Sequence, residues 1–83
     1  MHNAQSLVMI VSFQYYSESE DGRDDYRFSN EAEAQEKFES LKEIIKAQFL
    51  GCHDTEIVDE PDFFGIIDHN SGDWAKVIIS TKN

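Results

Sequence analysis

Four groups of side chains in this sequence have types that chemistry could use. Asp68-His69-Asn70-Ser71-Gly72-Asp73 alternates oxygen donors, as the opening of a calcium loop does. An EF-hand also needs a donor in register before its glycine and a glutamate at position twelve, which counted from Asp68 is Ile79. Asn and Gly in that run suit a hairpin turn better. His53, Asp54, Glu56 and His69 are zinc-ligand types, but they lack a ligand spacing and would meet only through the tertiary fold. Cys52 and His53 are adjacent, so their side chains diverge, whereas a thiol nucleophile needs a base across a cleft and a third orienting group. Asp24/Asp25 and Asp59/Glu60 could do acid–base work, yet no pair stands out among seventeen carboxylates. The expectation is a protein that is not an enzyme and takes no metal or cofactor.

The carboxylates say more as a set. Against seven Lys and Arg they leave a net charge of −10 over 83 residues. Direct binding to nucleic acid or to an anionic membrane needs a basic footprint, and this chain would be repelled by both. The charge is also uneven. Residues 1–16 carry no Asp, Glu, Lys or Arg, whereas residues 51–73 carry seven carboxylates and no Lys or Arg.

Apolar residues at 40% and aromatics at 12% exclude an acidic disordered tail. A single cysteine, Cys52, excludes a disulfide framework and suits a reducing cytoplasm. The apolar stretch Leu7–Val11 is too short for a membrane span and has no Lys or Arg before it, so neither an anchor nor a signal peptide is expected. Length predicts one domain over residues 1–83, placed in the cytoplasm.

Periodicity predicts the elements that would position the charges. Leu7, Met9, Val11, Phe13 and Tyr15 alternate with Val8, Ile10, Ser12, Gln14 and Tyr16, the period-two signature of a strand. Ser17–Asp25 has no apolar residue and reads as a loop turning at Asp21-Gly22, after which Tyr26-Arg27-Phe28 forms a short returning strand. From Asn30 to Leu50, Ala34, Phe38, Leu41, Ile45 and Phe49 lie on one side of a helical wheel, within about 80°. Ser29 or Asn30 can cap this helix, Asn30 with Glu33 as a capping box, and Gly51 sits where a left-handed residue ends it. Glu56-Ile57-Val58 reads as a brief strand at an edge or in a loop, cut by Pro61. Asp62–Asp68 and Trp74–Thr81 read as two strands joined by a turn in which Asn70 and Gly72 supply positive φ. The expected fold is α+β, an antiparallel sheet of four to five strands in the order ββαβββ or ββαββ with one long helix packed on one face.

One helix covers one face, yet several strands are apolar on both. Val8, Ile10, Trp74 and Ile78 are left on the uncovered side, together with one pair from Phe63/Ile67 or Phe64/Ile66. Either the Tyr26 and Glu56 segments or the N-terminal arm fold over this patch, or it docks a partner or a second copy.

The helix carries Glu36, Glu39 and Glu43 opposite its core stripe, with Lys37, Lys42 and Lys46 on the flanks. A solvated outer face and the helix dipole account for the Glu-first, Lys-last order, but the dipole does not account for Glu39 and Glu43. Carboxylates spaced about 5–7 Å apart on a helix or strand imitate a row of phosphates and release the same counterions from a basic groove. In size, charge and layout the chain is similar to small acidic antagonists of phages and mobile elements, such as DNA-mimic and anti-CRISPR proteins, and to acidic immunity proteins of nuclease toxins. The resemblance implies an inhibitor that occupies a basic, nucleic-acid-binding surface of another protein or complex. The residues expected to contact it are Glu36, Glu39, Glu43, Asp24, Asp25, Asp59, Glu60 and Asp62. The alternative is a small homodimeric accessory or structural subunit associating through Val8, Ile10, Trp74 and Ile78, and a small hydrolase or metal enzyme comes third.

Overall fold

Alternating apolar residues and one amphipathic segment dictate a sheet with a helix across it, and the computed structural model, which describes residues 8–82, has that arrangement. Strands β1 (Val8–Tyr16) and β2 (Asp21–Phe28) precede helix α1 (Glu31–Gln48), followed by β3 (Thr55–Glu60), β4 (Phe63–Asp68) and β5 (Trp74–Lys82). The five strands are all antiparallel neighbours in the order β2-β1-β5-β4-β3, so β2 and β3 are the edges. Leu7 lies outside the described residues.

The helix starts where expected. Asn30 Oδ1 accepts the Glu33 N–H at 3.1 Å, satisfying an otherwise unpartnered donor of the first turn. Its stripe of Ala34, Phe38, Leu41 and Ile45 is fully buried, with Phe49 packed at the rim, and Gly51 has φ +88° just beyond the end. Beneath it lie Met9 and Val11 of β1, Phe64 and Ile66 of β4, and Ala75, Val77 and Ile79 of β5. Phe13, Val77 and Phe64 are aligned across three strands by their pairing, which seats the Phe38 side of the helix over the sheet centre. Phe63 and Ile67 therefore point away from the helix.

Four local readings of the sequence need correction. The second strand is not three residues but eight, and Asp21-Gly22 lies inside it, paired with Tyr16 and Tyr15. The turn is Ser17–Glu20, closed by the Ser17 N–H on the Glu20 carbonyl at 2.8 Å. Pairing with the nine-residue β1 outweighs the low strand propensity of a charged segment. At the β4–β5 turn only Gly72, at φ +82°, has positive φ; Asn70 does not. There the Asp68 carboxylate fixes the chain by accepting the Asn70 N–H at 2.9 Å and the Ser71 hydroxyl at 3.1 Å. The Glu56 segment is a strand at the sheet edge, as expected, but it runs for six residues, with Pro61 in the turn after it. The Tyr26 and Glu56 segments lie in the sheet as its edges and do not fold over the helix-free face. The N-terminal arm lies outside the described residues. Among the described residues no helix is long and apolar enough to cross a membrane.

Candidate functional site

The sheet order separates the candidate acidic residues into two regions. Glu36, Glu39 and Glu43 stand on the solvent side of α1, which follows from the apolar stripe being turned to the sheet. From one flank of α1 the Lys42 side chain reaches β3. Lys42 Nζ donates to Asp59 Oδ1 at 3.0 Å, and its stem passes the Phe64 ring, with Nζ 5.4 Å from the centroid. The Asp59 carboxylate beside it, and then Glu39 and Glu43, hold the Lys42 ammonium above the usual lysine range. Lys42 thus sits between Glu39 and Glu43 of the helix and Asp59 of the edge strand, with Lys46 beside Glu43, whereas strand alternation puts Glu60 on the helix-free face.

Lys46 pairs within the helix to Glu43 at 3.3 Å, and Lys37 stands 4.3 Å over the Tyr26 ring. Both lysines keep their stems on aromatic surface, as expected for long cationic chains flanking an apolar stripe. Gln35 donates to Glu39 at 3.2 Å, fixing one carboxylate of the ridge.

Asp24 and Asp25 are not part of this flank. They lie on β2, at the opposite sheet edge, and point to opposite faces of it. Asp25 is on the helix-free face, where the Ser12 hydroxyl and then the Arg23 guanidinium, at 3.1 Å, hold its carboxyl below the usual range. Asp24 instead lines a cleft of about 430 Å³ at the end of the sheet, with Glu20, Asp68, Asp73 and the rings of Tyr15 and Trp74. That grouping was hidden in the sequence, because its members come from β1, β2, β4, β5 and both turns at one end.

Cys52 also borders the cleft. Burial and the adjacent Asp68 carboxylate push its thiol up, away from the thiolate a nucleophile needs. Asp68 itself is held below the usual carboxylate range, chiefly by the Asn70 N–H, with the Ser71 hydroxyl adding to it. Glu56 and His69, drawn from separate segments, do meet, with Nε2 3.1 Å from Oε1. Among the described residues no three His, Cys, Asp or Glu side chains converge as a metal site would require.

Of the apolar candidates, Val8, Ile10, Trp74 and Ile78 are all half-buried on the helix-free face, as their alternation required. Val58 joins them there and was not anticipated. Comparison with known proteins gives no match: no family model, no curated protein and no solved structure is similar to this chain.

Proposed function

We propose that this chain is a non-catalytic interaction protein that inhibits by occupying a basic, nucleic-acid-binding surface of another protein. The observation supporting this reading is the flank where Glu39 and Glu43 of α1 adjoin Asp59 of β3 around Lys42, with Glu36 exposed further towards the start of the helix. Carboxylates held at intervals of about 5–7 Å on a rigid helix and strand present a charge row to a Lys/Arg-lined groove. The row displaces the counterions that a nucleic acid would displace, and its field speeds capture of a strongly basic target. Within this class, a nucleic-acid mimic directed at a host or CRISPR-type complex ranks before an immunity protein for a basic nuclease. The unpaired Cys52 fits action in a reducing cytoplasm. Competition tests the reading: DNA or RNA added to the complex with the basic partner displaces the protein, whereas simultaneous binding of both would contradict it.

A further inference from the structure

The helix-free face of the sheet has a composition the acidic flank does not. It carries two apolar groups. Ile78 is opposite Phe63 with Ile10 diagonal to it, and Tyr16, Trp74 and Ile67 form a row with the Tyr16 and Trp74 rings stacked at 6.3 Å, while Gln14 and Lys76 run between the two groups. Between them, Gly65 leaves a shallow depression of about 350 Å³ bounded by Val58, Phe63, Ile67 and Trp74 and by Lys76, Glu56 and His69.

The charges on this face balance. Strand alternation places Arg23, Arg27, Lys76 and Lys82 on this face. It also places Asp21, Asp25, Glu56 and Glu60 there, so four cations meet four carboxylates. The whole net charge of −10 therefore resides on the helix side and at the ends of the sheet.

We infer that a second copy of this chain covers the helix-free face, forming a face-to-face dimer with the two helices outermost. Two molecules carrying −10 each repel, and this face brings them together without net like charge. Its strands of nine, eight, six, six and nine residues, at a spacing of about 4.8 Å and a rise of about 3.3 Å, give a footprint of roughly 600 Å² per copy. The two footprints total roughly 1,200 Å², which enters the size range of stable interfaces. Stacking leaves Glu39, Glu43 and Asp59 of both copies outward, so the inference stands independently of the proposed function.

Sedimentation equilibrium over a concentration series tests this. A dimer is expected, with an association constant unchanged or raised by added salt, whereas acidic-flank binding to a basic partner is weakened by it. Ile78→Asp is expected to give a monomer. Val58→Asp, at an edge position already 41% exposed and so tolerant of the change, is expected to weaken association at least about tenfold. Ile57→Asp, the next residue along β3 but on its helix side, is expected to leave the dimer intact. A wild type monomeric at all concentrations would overturn the inference, whether the segment before Val8 or nothing covers the face. Dissociation by Ile57→Asp as well as Val58→Asp would overturn it in favour of edge-to-edge pairing of β3.

Discussion

Lys42 and Asp59, seventeen residues apart, meet at 3.0 Å and tie the flank of α1 to the edge strand β3. The lysine side chain is only 15% exposed, and its ammonium emerges between the helix glutamates and the strand carboxylates. The contact has two roles: it anchors β3, and it leaves the carboxylates around it in surplus.

Replacing Lys42 by Met keeps the stem on Phe64 and removes the charge. Because the folded protein holds this ammonium above the usual lysine value, the stabilisation it provides is complete below about pH 10 and is lost as pH rises through the raised value. Denaturation curves from pH 7 to pH 12 should show the wild type more stable than Lys42→Met at neutral pH and the gap closing at the alkaline end. The variant should also bind a basic partner more strongly, since the flank gains net negative charge.

At the β4–β5 turn the sign is reversed. The Asp68 carboxyl is held low by the Asn70 N–H and the Ser71 hydroxyl, so its contribution is present above the ordinary aspartate range and disappears as pH falls through the lowered value. Asp68→Ala should therefore be less stable than wild type at pH 7, and the two should converge in acid denaturation.

Cys52 should react slowly. With its thiol pushed up by burial and Asp68, alkylation by iodoacetamide at pH 7 is expected to run below the rate of a free cysteine, and Asp68→Ala should raise it. A rate above that of free cysteine would contradict the geometry.

Phe38 is fully buried under the helix, and Phe38→Ala should cost about 3–5 kcal/mol, a large part of what a domain this small has. Leu50, 81% exposed past the helix end, should change stability by less than about 0.5 kcal/mol when replaced by Ala. Urea unfolding of both variants checks the contrast.

Elements with one strong period were legible before the structure. The helix announced itself because Ala34, Phe38, Leu41 and Ile45 repeat at its pitch, and β1 and β5 because their apolar residues alternate. The first half of β2 was not legible, since Asp21–Asp25 has no apolar residue and its strand state comes from pairing with β1. Gly22 there answers to Tyr15: a Cβ at that position would lie 2.5 Å from the tyrosine hydroxyl oxygen, a cross-strand demand no local pattern records. The candidate acidic residues were legible as types. Their division between two sheet edges was not, because it follows from β3 lying beside the Lys42 flank while β2 lies four strands away.

That division supplies the most direct test. The basic protein captured from host lysate at low salt should release as sodium chloride rises from roughly 50 to 500 mM, where screening shortens from about 14 to about 4 Å. Combined reversal of Glu36, Glu39 and Glu43 to Lys should weaken its binding at least about tenfold, with the helix retained by circular dichroism. Reversal of Asp24 and Asp25, on the far edge, should weaken it much less. Affinity indifferent to salt and to the helix reversals, or equally lost in both sets, would contradict the assignment of the α1–β3 flank as the binding surface.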